Sequence, residues 1–288
     1  MARSQKKLKL YELGRTVLGR LVGREVPGYV CPICLRGFEN LDDLSEEHVP
    51  PQSIGGEVLC LTCLQCNCGA GHTIEAEMHR ERMARSFLTV DGQPRRAKIV
   101  VGGHEARIDL HRDENGFHMD VLGGQNDPKA VEALKVALKG VLEAQGTFNL
   151  RDSVSYSRRN ADTGFLKSAY LAAFAKLGYT YILKPALNRV RQIQEPSCRV
   201  LDTVRVYCGK SGSTEQTFLL LHEPVRCMAV KITDSVICLP LLDGDDSFYE
   251  TLAQLRKDRR QMEWRGNGTI RWPDRFELAL DVDVQAEN

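Results

Sequence analysis

Apolar residues Leu8, Leu10, Leu13, Val17, Leu18 and Leu21 recur at helical spacing and predict an amphipathic helix over about Gln5–Val22. Gly14, Gly19 and Gly23 oppose it, since each glycine costs about 1 kcal/mol inside a helix. Pro27-Gly28 closes the segment. Residues 29 to about 85 follow a different rule, dense in Cys, His and Gly, and leave through a helical stretch at Ile74–Phe87. Period-two runs at Phe87–Val90, Ala97–Val101, Ala106–Leu110 and Phe117–Val121 predict a meander of short strands. Its turns are Asp91-Gly92, Gly102-Gly103 and Asn115-Gly116.

Asp127-Pro128 opens a helix carrying Val131, Leu134, Val136, Leu138, Val141 and Leu142. A second helix is expected over 162–177, capped by Asp162 or Thr163. It buries Phe165, Leu166, Ala169, Tyr170, Ala173 and Phe174, with its tyrosines at the rim, and ends at Leu177-Gly178. A third runs from about Pro185 to Gln194. Strands return at Val200–Val206, Thr217–Leu221, Val225–Ile232 and Ser235–Leu239. A helix at Ser247–Lys257 and strands near Thr269–Trp272 and Phe276–Val282 complete the chain. The class is α+β, in three parts: a basic N-terminal helix (1–28), a cysteine-rich module (29–86) and a mixed α+β region (87–288).

Composition adds constraints. The 288 residues, 42% of them hydrophobic, suffice for one large core or two ordinary ones. The formal charge of +1 excludes a uniformly polyanion-binding surface. The charge is instead polarised. Arg3, Lys6, Lys7, Lys9, Arg15, Arg20, Arg24 and Arg36 face only Glu12 and Glu25, whereas from Asp274 onward Asp274, Glu277, Asp281, Asp283 and Glu287 face only Arg275. A polyanion is therefore expected near the head, with a solvated basic helix as the plainer alternative. No apolar run reaches the roughly 18 residues of a membrane span, and the basic start lacks a signal-peptide core. A cytoplasmic protein without a membrane partner is expected. Its ten cysteines would then be reduced, so close pairs read first as metal ligands.

Cys31-Pro32-Ile33-Cys34 and Cys63-Leu64-Gln65-Cys66 are such pairs. Each supplies two sulfurs from one tight turn, which suits a tetrahedral structural Zn²⁺ with no position left for water. Between the pairs lies Glu46-Glu47-His48-Val49-Pro50-Pro51-Gln52-Ser53-Ile54-Gly55-Gly56, and Asn67 directly follows the second pair. This combination resembles the HNH endonuclease family, particularly members with a zinc-stapled, treble-clef-like ββα-metal module. The resemblance covers about residues 29–80. It implies that His48 is the general base, that Glu47 (where Asp or His is commoner) and Asn67 bind a catalytic Mg²⁺ or Mn²⁺, and that the reaction is phosphodiester hydrolysis. The family's middle Asn has no counterpart, since Glu57-Val58-Leu59 occupies that loop. These residue types agree with the chemistry: a neutral imidazole can deprotonate water, and a carboxylate with an amide oxygen suits a hard cation.

The remaining candidates have structural alternatives. His72 is a possible phosphate or metal contact or else a loop histidine. Arg80, Arg82 and Arg85, with His79, form either a phosphate-gripping or a solvated helix face. Cys60 and Cys68 lie outside the zinc set, with Cys68 as its alternative ligand. His104, His111 and His118 read as scattered, and Cys198, Cys208, Cys227 and Cys238 as buried small hydrophobes. Arg189, Arg191 and Arg199 could line a polyanion site or else be scattered, solvated cations. The expected activity is DNA cleavage or nicking, with RNA as the alternative substrate, in restriction or antiviral defence. Residues 87–288 would serve targeting, control, a protein partner or self-association. The competing reading is a non-catalytic zinc module that binds nucleic acid or a partner protein.

Overall fold

The structure, a computed structural model, describes residues 2–86, 94–152, 155–192, 205–207, 217–223, 225–241, 247–257 and 265–271. Contacts divide the chain into two units, one formed by residues 1–78 with 158–288 and the other by 79–157. The sequence expectation placed a boundary at 86/87 and kept 87–288 together. Here instead the chain after 158 folds with the N-terminal part, and 79–157 is set between the two halves of that unit in sequence.

The first unit begins with α1 (Ala2–Val22), whose Leu10, Tyr11, Val17 and Leu18 are buried. Strands β1 (Tyr29–Val30) and β2 (Gly37–Phe38) form a minimal antiparallel pair around the first cysteine turn. Strand β3 (Leu44–Val49) pairs antiparallel with β4 (Glu57–Cys63). The register slips between Glu47 and His48, where Glu47 faces Cys60 and His48 faces Val58, leaving Leu59 as the extra residue of a bulge. The hairpin loop explains the Gly-Gly motif. Gly55 has φ 90°, and a Cβ on Gly56 would lie 1.4 Å from the Pro50 carbonyl oxygen. Strand β4 runs directly into α2 (Leu64–Ala70), a π-helical turn (Gly71–Glu75) and α3 (Ala76–Ser86), within which the two units divide.

The second unit is a four-stranded antiparallel sheet with one helix. Strands β5 (Arg95–Val101), β6 (His104–Asp113) and β7 (Gly116–Val121) form the expected meander. Helix α4 (Pro128–Glu143) follows, capped by the Asp127 side chain, which accepts from the Lys129 N–H. A further strand, β8 (Asn149–Asp152), returns beside β5 to give the order β7-β6-β5-β8. Alternate residues Ala97, Ile99, Val101, Ala106, Ile108 and Leu110 pack with Leu134 of α4. The β6–β7 register sets His111 opposite His118, their rings stacked 5.0 Å apart. The two rings meet across the sheet, but among the described residues they form no metal-ligand group. The expected strand Phe87–Val90 lies outside the described residues.

The first unit resumes with α5 (Arg158–Ile182). It starts before the expected caps. Thr163 donates instead to the Arg159 carbonyl, and Asp162 accepts from Arg205. The helical path breaks at Gly178 (φ 63°, ψ −159°), as Leu177-Gly178 suggested, yet the chain turns helically again to Ile182. The helix is buried on all sides, not on one face, because α1, β3 and β4 cover part of it and β11 and β12 cover another part. After a 3₁₀ turn (Pro185–Leu187) and α6 (Asn188–Arg191) come β9 (Arg205–Tyr207), β10 (Thr217–Glu223), β11 (Cys227–Ile232), β12 (Ser235–Leu239), α7 (Phe248–Lys257) and β13 (Arg265–Arg271). The strands make a five-stranded antiparallel sheet in the order β13-β10-β11-β12-β9. The tyrosines of α5 are not at its rim: Tyr170 donates to the Pro32 carbonyl at 2.5 Å, Tyr179 to Val30 at 2.6 Å and Tyr181 to Pro240 at 2.7 Å. Cys227 and Cys238 are buried as expected. Cys198, Arg199, Cys208 and the strand at Phe276–Val282 lie outside the described residues.

Candidate functional site

Cys31 and Cys34 come from the tight turn between β1 and β2, Cys63 from the last position of β4 and Cys66 from the first turn of α2. The four sulfurs all lie within 4.8 Å of one another. Cys34 Sγ and Cys63 Sγ are 3.8 Å apart. A tetrahedron with metal–sulfur bonds of about 2.3 Å has edges of about 3.8 Å, so the group fits a zinc-sized ion. Several N–H groups are placed to support thiolates once a cation is bound. The Cys63 N–H points at Cys31 Sγ, the Cys66 N–H at Cys63 Sγ, and Arg36 Nε at Cys34 Sγ. Without a cation, the hydrogen bond with Cys31 and then burial push the Cys34 thiol up to about 12. The group can hold a structural metal such as zinc, which would stabilise the thiolates. Cys60 is buried and Cys68 exposed, and neither belongs to the cluster. Among the described residues no second group of three His, Cys, Asp or Glu side chains converges in this way.

The hairpin and α2 place His48 and Asn67 on adjoining elements. His48, the penultimate residue of β3, is half-buried, with no hydrogen bond or ion pair to its ring among the described residues. Asn67 Nδ2 donates to Ser45 Oγ at 2.7 Å and to the Glu46 carbonyl at 3.4 Å, tying α2 to β3. Its Oδ1 accepts nothing among the described residues.

Glu47 is placed differently from the expectation. It is 3% exposed. Its Oε2 accepts from Thr62 Oγ1 at 2.8 Å, and its Oε1 lies 2.7 Å from Lys167 Nζ. The same ammonium lies 2.6 Å from Glu75 Oε1. Both Glu47 oxygens are therefore engaged inside the unit, and the carboxylate does not fit the role of a divalent-ion ligand shared with His48 and Asn67. Burial raises the Glu47 carboxyl, against the pull of Lys167. Burial also works against the Lys167 charge, but Glu47 and Glu75 together hold the ammonium above its usual range.

Lys167, Glu75 and Thr62 were missed by the sequence reading. A lysine inside Gly164-Phe165-Leu166-Lys167-Ser168-Ala169 was the available signal, since a charge in so apolar a run calls for a partner. Of the other candidates, His72 sits on the π-helical turn, and its side chain is outside those described. Arg80 and Arg82 are exposed on α3, and Arg85 pairs with Glu81 at 2.7 Å. Arg189 pairs with Glu250, and Arg191 reaches the Ile182 carbonyl and Asn188. Among the described residues no helix is long and apolar enough to cross a membrane. Compared with protein-family models, curated proteins and solved structures, the chain gives no match in any of the three.

Proposed function

We propose that the metal-stapled hairpin and helix of residues 29–78 form an HNH-like nuclease centre that hydrolyses phosphodiesters in DNA, with His48 as general base. The reading rests on one observation. The β3–β4 hairpin runs without a loop into α2 through the second cysteine pair, so adjoining elements of one unit present an imidazole and an amide oxygen that have no hydrogen-bond partner among the described residues. His48 would take the proton from the attacking water. Asn67 would hold α2 against β3 through its amide nitrogen. Such a reaction also calls for positive charge at the phosphate, supplied by Mg²⁺ or Mn²⁺ when bound. Glu47 does not fit as that ion's ligand, which leaves Asn67 Oδ1 as the expected ligand atom, without a protein partner among the described residues. A nuclease carried with this much additional chain suits restriction or antiviral defence.

Plasmid DNA incubated with the full chain and Mg²⁺ or Mn²⁺ tests this. The expected result is nicking or cutting that chelator stops and His48→Ala abolishes, with the Tm unchanged. Cleavage that persists in His48→Ala refutes the assignment. The internal engagement of Glu47 favours a second reading, a non-catalytic zinc module that binds nucleic acid or a partner protein. That reading gains if no metal supports cleavage while DNA still binds.

A further inference from the structure

The misfit at Glu47 has a physical content of its own. Two carboxylates from different elements, Glu47 on β3 and Glu75 on the π-helical turn, converge on one point, and the Nζ of Lys167 from α5 fills it at 2.7 and 2.6 Å. These separations approach the spacing of oxygens around a hard divalent cation, about 2.3–2.6 Å for Ca²⁺ and about 2.0–2.1 Å for Mg²⁺. The charges compare in the same way. With both carboxylates ionised, one ammonium leaves the cluster an electron's charge negative, whereas a divalent ion would balance it. The side chains of Glu47 and Lys167 are 4% and 3% exposed, but Glu75 is 19% exposed, so solvent reaches the cluster from the Glu75 side.

We propose that Lys167 is a built-in substitute for a divalent cation at Glu47 and Glu75: its ammonium holds the ion's place, keeps the carboxylate pair metal-free and ties α5 to the hairpin. The consequence is that Glu47 is reserved from metal chemistry for as long as Lys167 is present. The carboxylates already converge and need to close by only a few tenths of an ångström to become ligands. Removing the ammonium vacates a position between two acidic oxygens, and Thr62 Oγ1 already orients one of the two carboxylates. The inference concerns metal binding alone and stands or falls separately from any nuclease activity.

The test is a Mn²⁺ titration of the zinc-loaded full chain, followed by the electron paramagnetic resonance of free Mn²⁺. Wild type and Glu47→Gln are expected to bind Mn²⁺ equally, since no ion sits at Glu47. Lys167→Ala is expected to bind it roughly tenfold tighter or more, and the gain should vanish when Glu47→Gln is added. A wild-type affinity that drops in Glu47→Gln overturns the proposal, because the ion would then share or displace the ammonium. So does a folded Lys167→Ala that gains nothing. If Lys167→Ala fails to fold, Lys167→Gln takes its place with the same expectation, and the comparison of wild type with Glu47→Gln remains decisive.

Discussion

Replacing Lys167 with Met keeps most of the side-chain volume but deletes the charge between Glu47 and Glu75. Glu47 is then left buried without its counter-ion, facing the partly exposed carboxylate of Glu75. Removing one partner of a buried ion pair costs about 3–5 kcal/mol, because the survivor is left uncompensated. For a unit of this size that is a fall in Tm of roughly 6–20 °C. Glu47→Gln should behave differently, although it touches the same pair. It leaves Lys167 with Glu75, a neutral couple 2.6 Å apart, and it relieves the repulsion between the two carboxylates. The loss is then a charged hydrogen bond, about 1.5–3 kcal/mol, offset by the lower desolvation cost of an amide. The order of stabilities is wild type, Glu47→Gln, Lys167→Met, with Glu47→Gln/Lys167→Met above Lys167→Met alone. Urea unfolding of the four proteins gives the cycle.

The pH dependence follows from the signs. The Lys167 pKa lies above its usual 10.5, so its contribution is complete below that value and is lost only as pH climbs through the higher folded value. Glu47 is raised by burial, so protonating it favours the fold, and that help disappears as pH rises through its raised pKa. The deficit of Lys167→Met should therefore be full at pH 8 and shrink toward pH 5. A Lys167→Met protein within 1 kcal/mol of wild type at pH 8, or a Glu47→Gln cost as large as that of Lys167→Met, would refute the reasoning.

Three further outcomes are expected. Cys63→Ser, or extraction with a strong chelator, should release zinc and lower the Tm, whereas Cys68→Ser should do neither; acid should weaken zinc binding, because the thiols must give up their protons, and a colorimetric zinc assay follows all three. Gly14→Ala should cost about 1–3 kcal/mol by overpacking, since its Cβ would fall 2.4 Å from the buried ring of Tyr29, and thermal unfolding reads the loss. Tyr170→Phe should cost about 1–3 kcal/mol by stranding the buried Pro32 carbonyl between Cys31 and Ile33, and should speed zinc release to a competing chelator measurably.

Much of the local structure was legible in the sequence because its causes are local. Cys31, Cys34, Cys63 and Cys66 announce a metal tetrahedron by their spacing, and geometry supplies sulfurs that match one. The meander of β5 to β7 follows from alternation and turn residues, and α4 from its Asp127 cap. The proximity of Asn67 to β3 also follows from a short segment, since hairpin and helix are continuous.

What the tertiary structure alone decided depends on which distant segments meet. Periodicity gave α5 a single buried face, but a helix wrapped by partners from both ends of the chain has no outside. The pairing of His111 with His118 depended on a register, and that of Lys167 with Glu75 on a contact across 92 residues. Sequence named Glu47 as a carboxylate ready for a metal. Burial and a lysine from a remote helix fixed it instead as an internal ion-pair partner. Such an outcome is set by the free energy of desolvating charges in a common interior, a quantity that belongs to the assembled fold rather than to any stretch of residues.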